Sequence, residues 1–218
     1  MNTLQKIRHD SKAWYNPFTY IAGFKALWVG LLIIFLTSVA GQFSGAAFPG
    51  VIDSKIGWEG EFLRHLSYSL IAWLSMVIVL YPLALALSGS KVRLLDIAGT
   101  QALARLPMLV AALLGFFKVV RKVTDTILIR SLEHIRQYVD IDIKDIPDPG
   151  SIATWEYLAA GIIVLATLLA TVWMVAMMYH AYRLSSNLKG ARAGISFAIG
   201  IFIAQVISNV AIFYWAKL

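Results

Sequence analysis

The sequence predicts an all-α, polytopic transmembrane helical bundle of five spans, folded as one domain. Three observations carry this. Hydrophobic residues make up 59% of the 218 and charged residues only 14%, against about 45–50% and about 25% in soluble domains, and mean hydropathy is +0.73. Five segments reach the roughly 20 apolar residues that a helix needs to cross a hydrocarbon core about 30 Å thick. The connections between them are too short to bury cores of their own.

The same composition excludes several functions. With no cysteines, disulfides, thiolate metal sites and cysteine nucleophiles are ruled out. The net charge of +7 is strewn between apolar runs, not gathered with aromatics on one face, so it is no nucleic-acid signature. Cations at span ends instead report topology and anionic headgroups.

Residues 1–23 form an N-terminal cytoplasmic or interfacial segment, where Trp14, Tyr15 and Tyr20 make an interfacial belt. The first span covers about 24–41. Ser38-Val39-Ala40 resembles a signal-peptide cleavage site, but the long segment before the apolar run, with Trp14, Tyr15 and Phe18, predicts an uncleaved span. The second span, about 62–88, contains Pro82, which removes the hydrogen bond to the Ile78 carbonyl and predicts a bend. The third, about 96–117, reads DIAGTQALARLPMLVAALLGFF and carries Gln101, Arg105 and a second kink at Pro107. An amphipathic helix over 118–139 follows. Its apolar stripe (Val119, Val120, Val123, Ile127, Leu128, Leu132) is expected to face lipid along the headgroups, with Lys118, Arg121 and Lys122 on other faces. VDIDIKDIPDPG then reads as an extended linker. The fourth span covers about 152–182 and the fifth about 194–215, closing a single transmembrane domain over 24–217.

Charge does not fix the orientation. With five crossings and the N-terminus inside, Lys6, Arg8, Lys12, Lys25, Lys91, Arg93, Arg183, Lys189 and Arg192 lie inside, nine in all. Nine also lie outside, namely Lys55, Arg64, Lys118, Arg121, Lys122, Arg130, Arg136, Lys144 and Lys217. If the third segment entered and returned on the inner side, the division would become 13 inside and five outside. The positive-inside rule therefore favours a third segment that does not cross, while its length favours one that does.

Arg105 falls about 12 Å into the core, counting from Ile97. An arginine near the centre costs about 2.5–3.5 kcal/mol on insertion scales, so it should face protein or a wet cavity. Gln101 lies one turn earlier on the same face. On the last span, Gln205 and Asn209 are one turn apart, fall at similar depth, and are the expected partners of Arg105. Together the four form a candidate buried polar cluster, either a structural tie between helices or an anion or headgroup site. Gly194, Ala198, Gly200, Ala204 and Ser208 are the expected helix-packing small residues.

No catalytic residue, metal ligand or cofactor is predicted. His9, His65, His134 and His180 lack zinc-protease spacing. Asp140, Asp142, Asp145 and Asp148 miss the calcium-loop pattern.

Two stretches, GTQALARLPMLVAALLGF and RLSSNLKGARAGISFAIGIFIAQVIS, together with the Asn16-Pro17-Phe18 entry to the first span, resemble bacterial members of the Yip (Ypt/Rab-interacting protein) domain family. The resemblance extends over roughly residues 16–212. It implies a five-helix membrane domain with a cytoplasmic N-terminus, in a bacterial cytoplasmic membrane, with a crossing third segment. Eukaryotic members bind lipidated small GTPases, but their long N-terminal region and Asp-Leu-Tyr-Gly motif have no counterpart here; Asp96 and Gly99 match two letters of the motif in the wrong place. Small-GTPase binding is therefore not carried over. The expected function is non-enzymatic: a membrane-organising or partner-binding scaffold, meeting membrane lipids, an anionic headgroup, a protein partner or a second copy of itself. The alternative is a small transporter or channel subunit with a polar site around Arg105.

Overall fold

Backbone polar groups in hydrocarbon find no water, so long apolar stretches must satisfy them internally as helices. A computed structural model describes residues 16–58, 60–136 and 151–217, the side chains of 132–136 excepted. Trp14, Tyr15, His9, the side chains of Leu132 and His134, and the 139–150 linker with its four aspartates lie outside the described residues.

Among the described residues, five elements are long and apolar enough to cross a membrane. A short 3-10 turn, Pro17–Thr19, enters the first helix, α1, Gly23–Ser44. Phe18, in that turn, is buried in the core at 1% exposure. Helix α2 spans Phe62–Leu87 and passes through Pro82 without interruption. The third element is two helices end to end, α3 (Leu94–Leu103) and α4 (Leu106–Leu114). Helices α5 (Val119–Arg136), α6 (Thr154–Ser186) and α7 (Gly190–Trp215) complete the chain.

The α3–α4 element is the centre of the bundle. In its most apolar stretch 72% of residues are buried, against 28–39% in the other four spans. It packs on α1, α2 and α6. Its contacts with α1 run the full length of both. At one end, a Cβ on Gly99 would stand 2.7 Å from the Gly23 carbonyl oxygen; midway, one on Gly30 would stand 2.4 Å from the Ala102 Cβ; at the far end, one on Gly115 would stand 2.9 Å from the Ser44 hydroxyl. The two elements therefore run side by side in the same direction, so α3–α4 traverses wherever α1 does. A segment that entered and returned on one side would not do this, and the charge argument for it fails.

The segment between α1 and α2 does not stay outside the bundle. Gly45 ends α1 in the left-handed region, φ 73°, where its N–H donates to the Gly41 carbonyl at 2.9 Å. This turn sends the chain inward. Ala46–Ala47 (β1) pairs antiparallel with Lys55–Ile56 (β2), and Ala46, Ala47, Phe48 and Val51 are buried at 1–5%. By sequence, residues 42–61 are a Gly-rich and slightly acidic connection between spans, yet SGAAFPGV joins the core because its small apolar residues fit between helices.

Helix α5 also departs from expectation. Val120 and Val123 pack against Ala160 and Ile163 of α6, with Ile56 and Leu114 around them, while Ile127 and Leu128 are 51% and 57% exposed. Val123 therefore faces protein instead of lipid. The cause lies in α6, whose 33 residues extend about 50 Å and leave turns beyond the bilayer core that need cover. Lys122 Nζ donates to Glu156 Oε1 at 2.6 Å and ties the two helices. Spin labels at Ile127 and Leu128 are expected to report lipid, and a label at Val123 to be immobilised with little access to lipid or water. Lipid exposure at Val123 equal to that at Ile127 would contradict this docking.

Candidate functional site

Helix α3 ends where Ala104 donates to the Thr100 carbonyl (2.9 Å) and Arg105 N–H to the Ala102 carbonyl (3.2 Å). Helix α4 restarts at Leu106, with Pro107 in its first turn, where a missing N–H costs least. Ala104 and Arg105 lie between the two helices, and Arg105 is about 16 Å from one end of the span and about 14 Å from the other. Its side chain is 3% exposed.

The guanidinium lies against a cavity of about 10 Å³ lined by Ile34 and Thr37 of α1, Phe48 of the infolded segment, Ser69 of α2 and Met108 of α4. Its Nε and Nη2 have no hydrogen-bond acceptor among the described residues, and neither does the Thr37 hydroxyl have a partner there. A cation just past a helix C-terminus gains about 0.3–1 kcal/mol from the terminal carbonyls. That does not offset the penalty of several kcal/mol for a buried, unpaired charge.

The expected cluster of four divides in two. Gln101 is 1% exposed and donates to the Met178 carbonyl of α6 at 3.0 Å; it makes no hydrogen bond to Arg105, since its Oε1 has no partner. Gln205 and Asn209 do not serve Arg105 either. Gln205 Oε1 accepts from the Ile52 N–H at 3.0 Å, and its Nε2 donates to Asp53 Oδ2 at 2.7 Å and to Asn209 Oδ1 at 3.3 Å. A Cβ on Gly50 would come within 2.8 Å of that amide. The amides thus clamp the infolded segment, whose Phe48 occupies the side of Arg105 that they were expected to fill. Phe48, Gly50, Asp53, Thr37 and Ser69 escaped sequence reasoning. The one available signal was the apolar run from Ala46 to Val51 in a connection otherwise rich in glycine and charge.

Three further polar contacts join helices, while serines and threonines such as Ser38, Ser75 and Thr167 donate to carbonyls of their own helix. Trp73 Nε1 donates to the Ala98 carbonyl at 3.0 Å, Thr100 and Ser185 share a 3.0 Å bond, and the Tyr182 hydroxyl donates to Ser196 at 3.1 Å. Of the predicted small residues, Gly200, Ala204 and Ser208 are buried, and Gly200 sits under Leu80 and Leu83 of α2. Gly194 and Ala198 do not pack. Nothing stands within 4 Å of a Cβ on Gly194, and Ala198 is exposed. The packing face of α7 runs instead through Ala193, Phe197, Gly200, Ala204 and Ser208, which turns Gly194 and Ala198 outward. His65 stacks edge-on against Trp58, and His180 lies beside Tyr179; no metal-ligating group forms among the described residues.

Two larger concavities open at the α6–α7 turn. One, of about 380 Å³, is lined by Asn16, His180, Arg183, Asn187 and Lys189. The other, of about 510 Å³, is an apolar groove between Leu83, Leu87, Ile195 and Ile199, with Arg192 at its edge. Compared with protein-family models, curated proteins and solved structures, the chain matches none.

Proposed function

We propose that this is a non-enzymatic, Yip-like scaffold of a bacterial cytoplasmic membrane, with its N-terminus in the cytoplasm, that organises lipids and partners through its helix surfaces. One observation carries the reading: Trp73, Thr100, Gln101 and Tyr182 use their polar groups on neighbouring helices, and the space beside Arg105 is about 10 Å³. A transporter needs polar groups lining a continuous path, and the small cavity that Arg105 lines includes neither Gln101 nor the Gln205–Asn209 clamp. The long α6 supports the same reading. Leu158, Ile162, Leu165, Leu168, Leu169 and Val172 are 59–67% exposed and offer an apolar face to lipid or to a partner helix. At the α6–α7 turn, Arg183, Lys189 and Arg192 are placed for an anionic headgroup, with the adjacent groove for an acyl chain. Reconstitution into vesicles tests the proposal. Ion and small-solute flux should equal that of protein-free vesicles, while anionic phospholipid should co-purify and be lost when Arg183, Lys189 and Arg192 are changed to Gln. Flux that Arg105→Gln abolishes would establish the transporter reading instead.

A further inference from the structure

We infer that Arg105 and Thr37 hold a single monoatomic anion, of halide size and charge, at the centre of the bundle. The inference rests on the geometry of the small cavity and is independent of the scaffold reading. Arg105 and Thr37 line one small space, and three of their donors are buried: Nε–H and Nη2–H of Arg105, and the Thr37 hydroxyl. None meets a protein acceptor among the described residues. The hydroxyl matters because a threonine inside a helix ordinarily donates back to the carbonyl one turn earlier. Its neighbour Ser38 does so, to Ile34 at 2.9 Å; Thr37 does not.

No carboxylate lines the cavity, and Asp53, the acidic residue of the infolded segment, accepts from Gln205 instead. Of the other walls, Ile34, Phe48 and Met108 supply neither charge nor an acceptor oxygen, and Ser69 supplies only a neutral hydroxyl, which can accept a hydrogen bond but cannot balance the charge. Water would accept hydrogen bonds from these donors and leave the charge uncompensated. An anion satisfies both, and a buried charge is tolerated only when both are met.

Size sets the class. A cavity of about 10 Å³ corresponds to about one water-sized occupant. A phosphate, a carboxylate or a lipid headgroup does not fit there. The site exists only in the folded protein, so its occupancy is read as stability.

The test is thermal unfolding of the full chain in an uncharged detergent, in chloride, bromide, sulfate or gluconate at fixed ionic strength. Saturating chloride should raise the midpoint by about 5 °C over gluconate, as expected for a ligand that binds only the folded state. Bromide should give a smaller rise, and sulfate none. Thr37→Val keeps the side-chain volume and should raise the half-saturating chloride concentration about tenfold, the loss of one hydrogen bond to a charged group. Arg105→Gln should remove the chloride dependence; if that variant does not fold, Thr37→Val carries the test alone. Equal midpoints in all four salts would mean that the cavity holds water, and a chloride response unchanged in Thr37→Val would place the anion elsewhere. Either result overturns the inference.

Discussion

Gly30→Leu is expected to yield no folded protein, and Gly30→Ala to be strongly destabilised. A Cβ at Gly30 would stand 2.4 Å from the Ala102 Cβ, 2.5 Å from the Leu103 nitrogen and 2.6 Å from the Ala102 carbonyl carbon. Two of those atoms are backbone and cannot swing aside, so α1 and α3 must separate. Overpacking that surrounding groups can absorb costs about 1–3 kcal/mol; here the seam between the first span and the central one opens, and with it the packing of Gly99 one turn away. Gly194→Ala is the control. Its Cβ meets nothing within 4 Å, so the change should stay within about 0.5 kcal/mol. Thermal unfolding of the purified variants in detergent measures the contrast. Equal stability of the two alanine variants would show that α1 and α3 do not meet at Gly30.

Phe48→Ala is expected to cost about 3–5 kcal/mol, the range for deleting a buried aromatic ring. A residue in a solvated connection would lose about 0.5 kcal/mol or less. Phe48 is 5% exposed and forms one wall beside Arg105, so its removal also admits water to a buried cation. Gln205→Leu, which removes the clamp on Ile52 and Asp53, should raise hydrogen exchange over residues 46–53 while leaving the helices protected. Unchanged stability in Phe48→Ala would place the segment outside the bundle.

The existence of the spans was legible because hydropathy and length are properties of one segment at a time. Their ends were less so. The last span was expected from residue 194 and its helix begins at Gly190; hydropathy stops at Arg192, whereas an arginine near a helix end extends its stem and keeps its charge at the interface. The break at Arg105 followed from Pro107 alone. Lateral neighbours were not legible. Arg105, Gln205 and Asn209 were matched by depth, but equal depth does not decide which faces meet, and a third element can come between. That element, Ala46–Val51, is far too short to register as a span and is buried only because α1, α2, α4 and α7 leave room for it. The stripe of α5 failed for a related reason: an amphipathic helix beside a bilayer has two apolar surfaces to choose from, and the overhanging turns of α6 cover Val120 and Val123 as lipid would.

The central claim is that α3–α4 traverses beside α1 as the buried middle of the bundle. The chain has no cysteines, so single cysteines at Lys91 and Lys118, both exposed, can be labelled in intact and permeabilised cells with a membrane-impermeant maleimide. The account predicts that the two positions react from opposite sides of the membrane. Labelling of both from the same side would contradict it, because the segment between them would then enter and return without crossing.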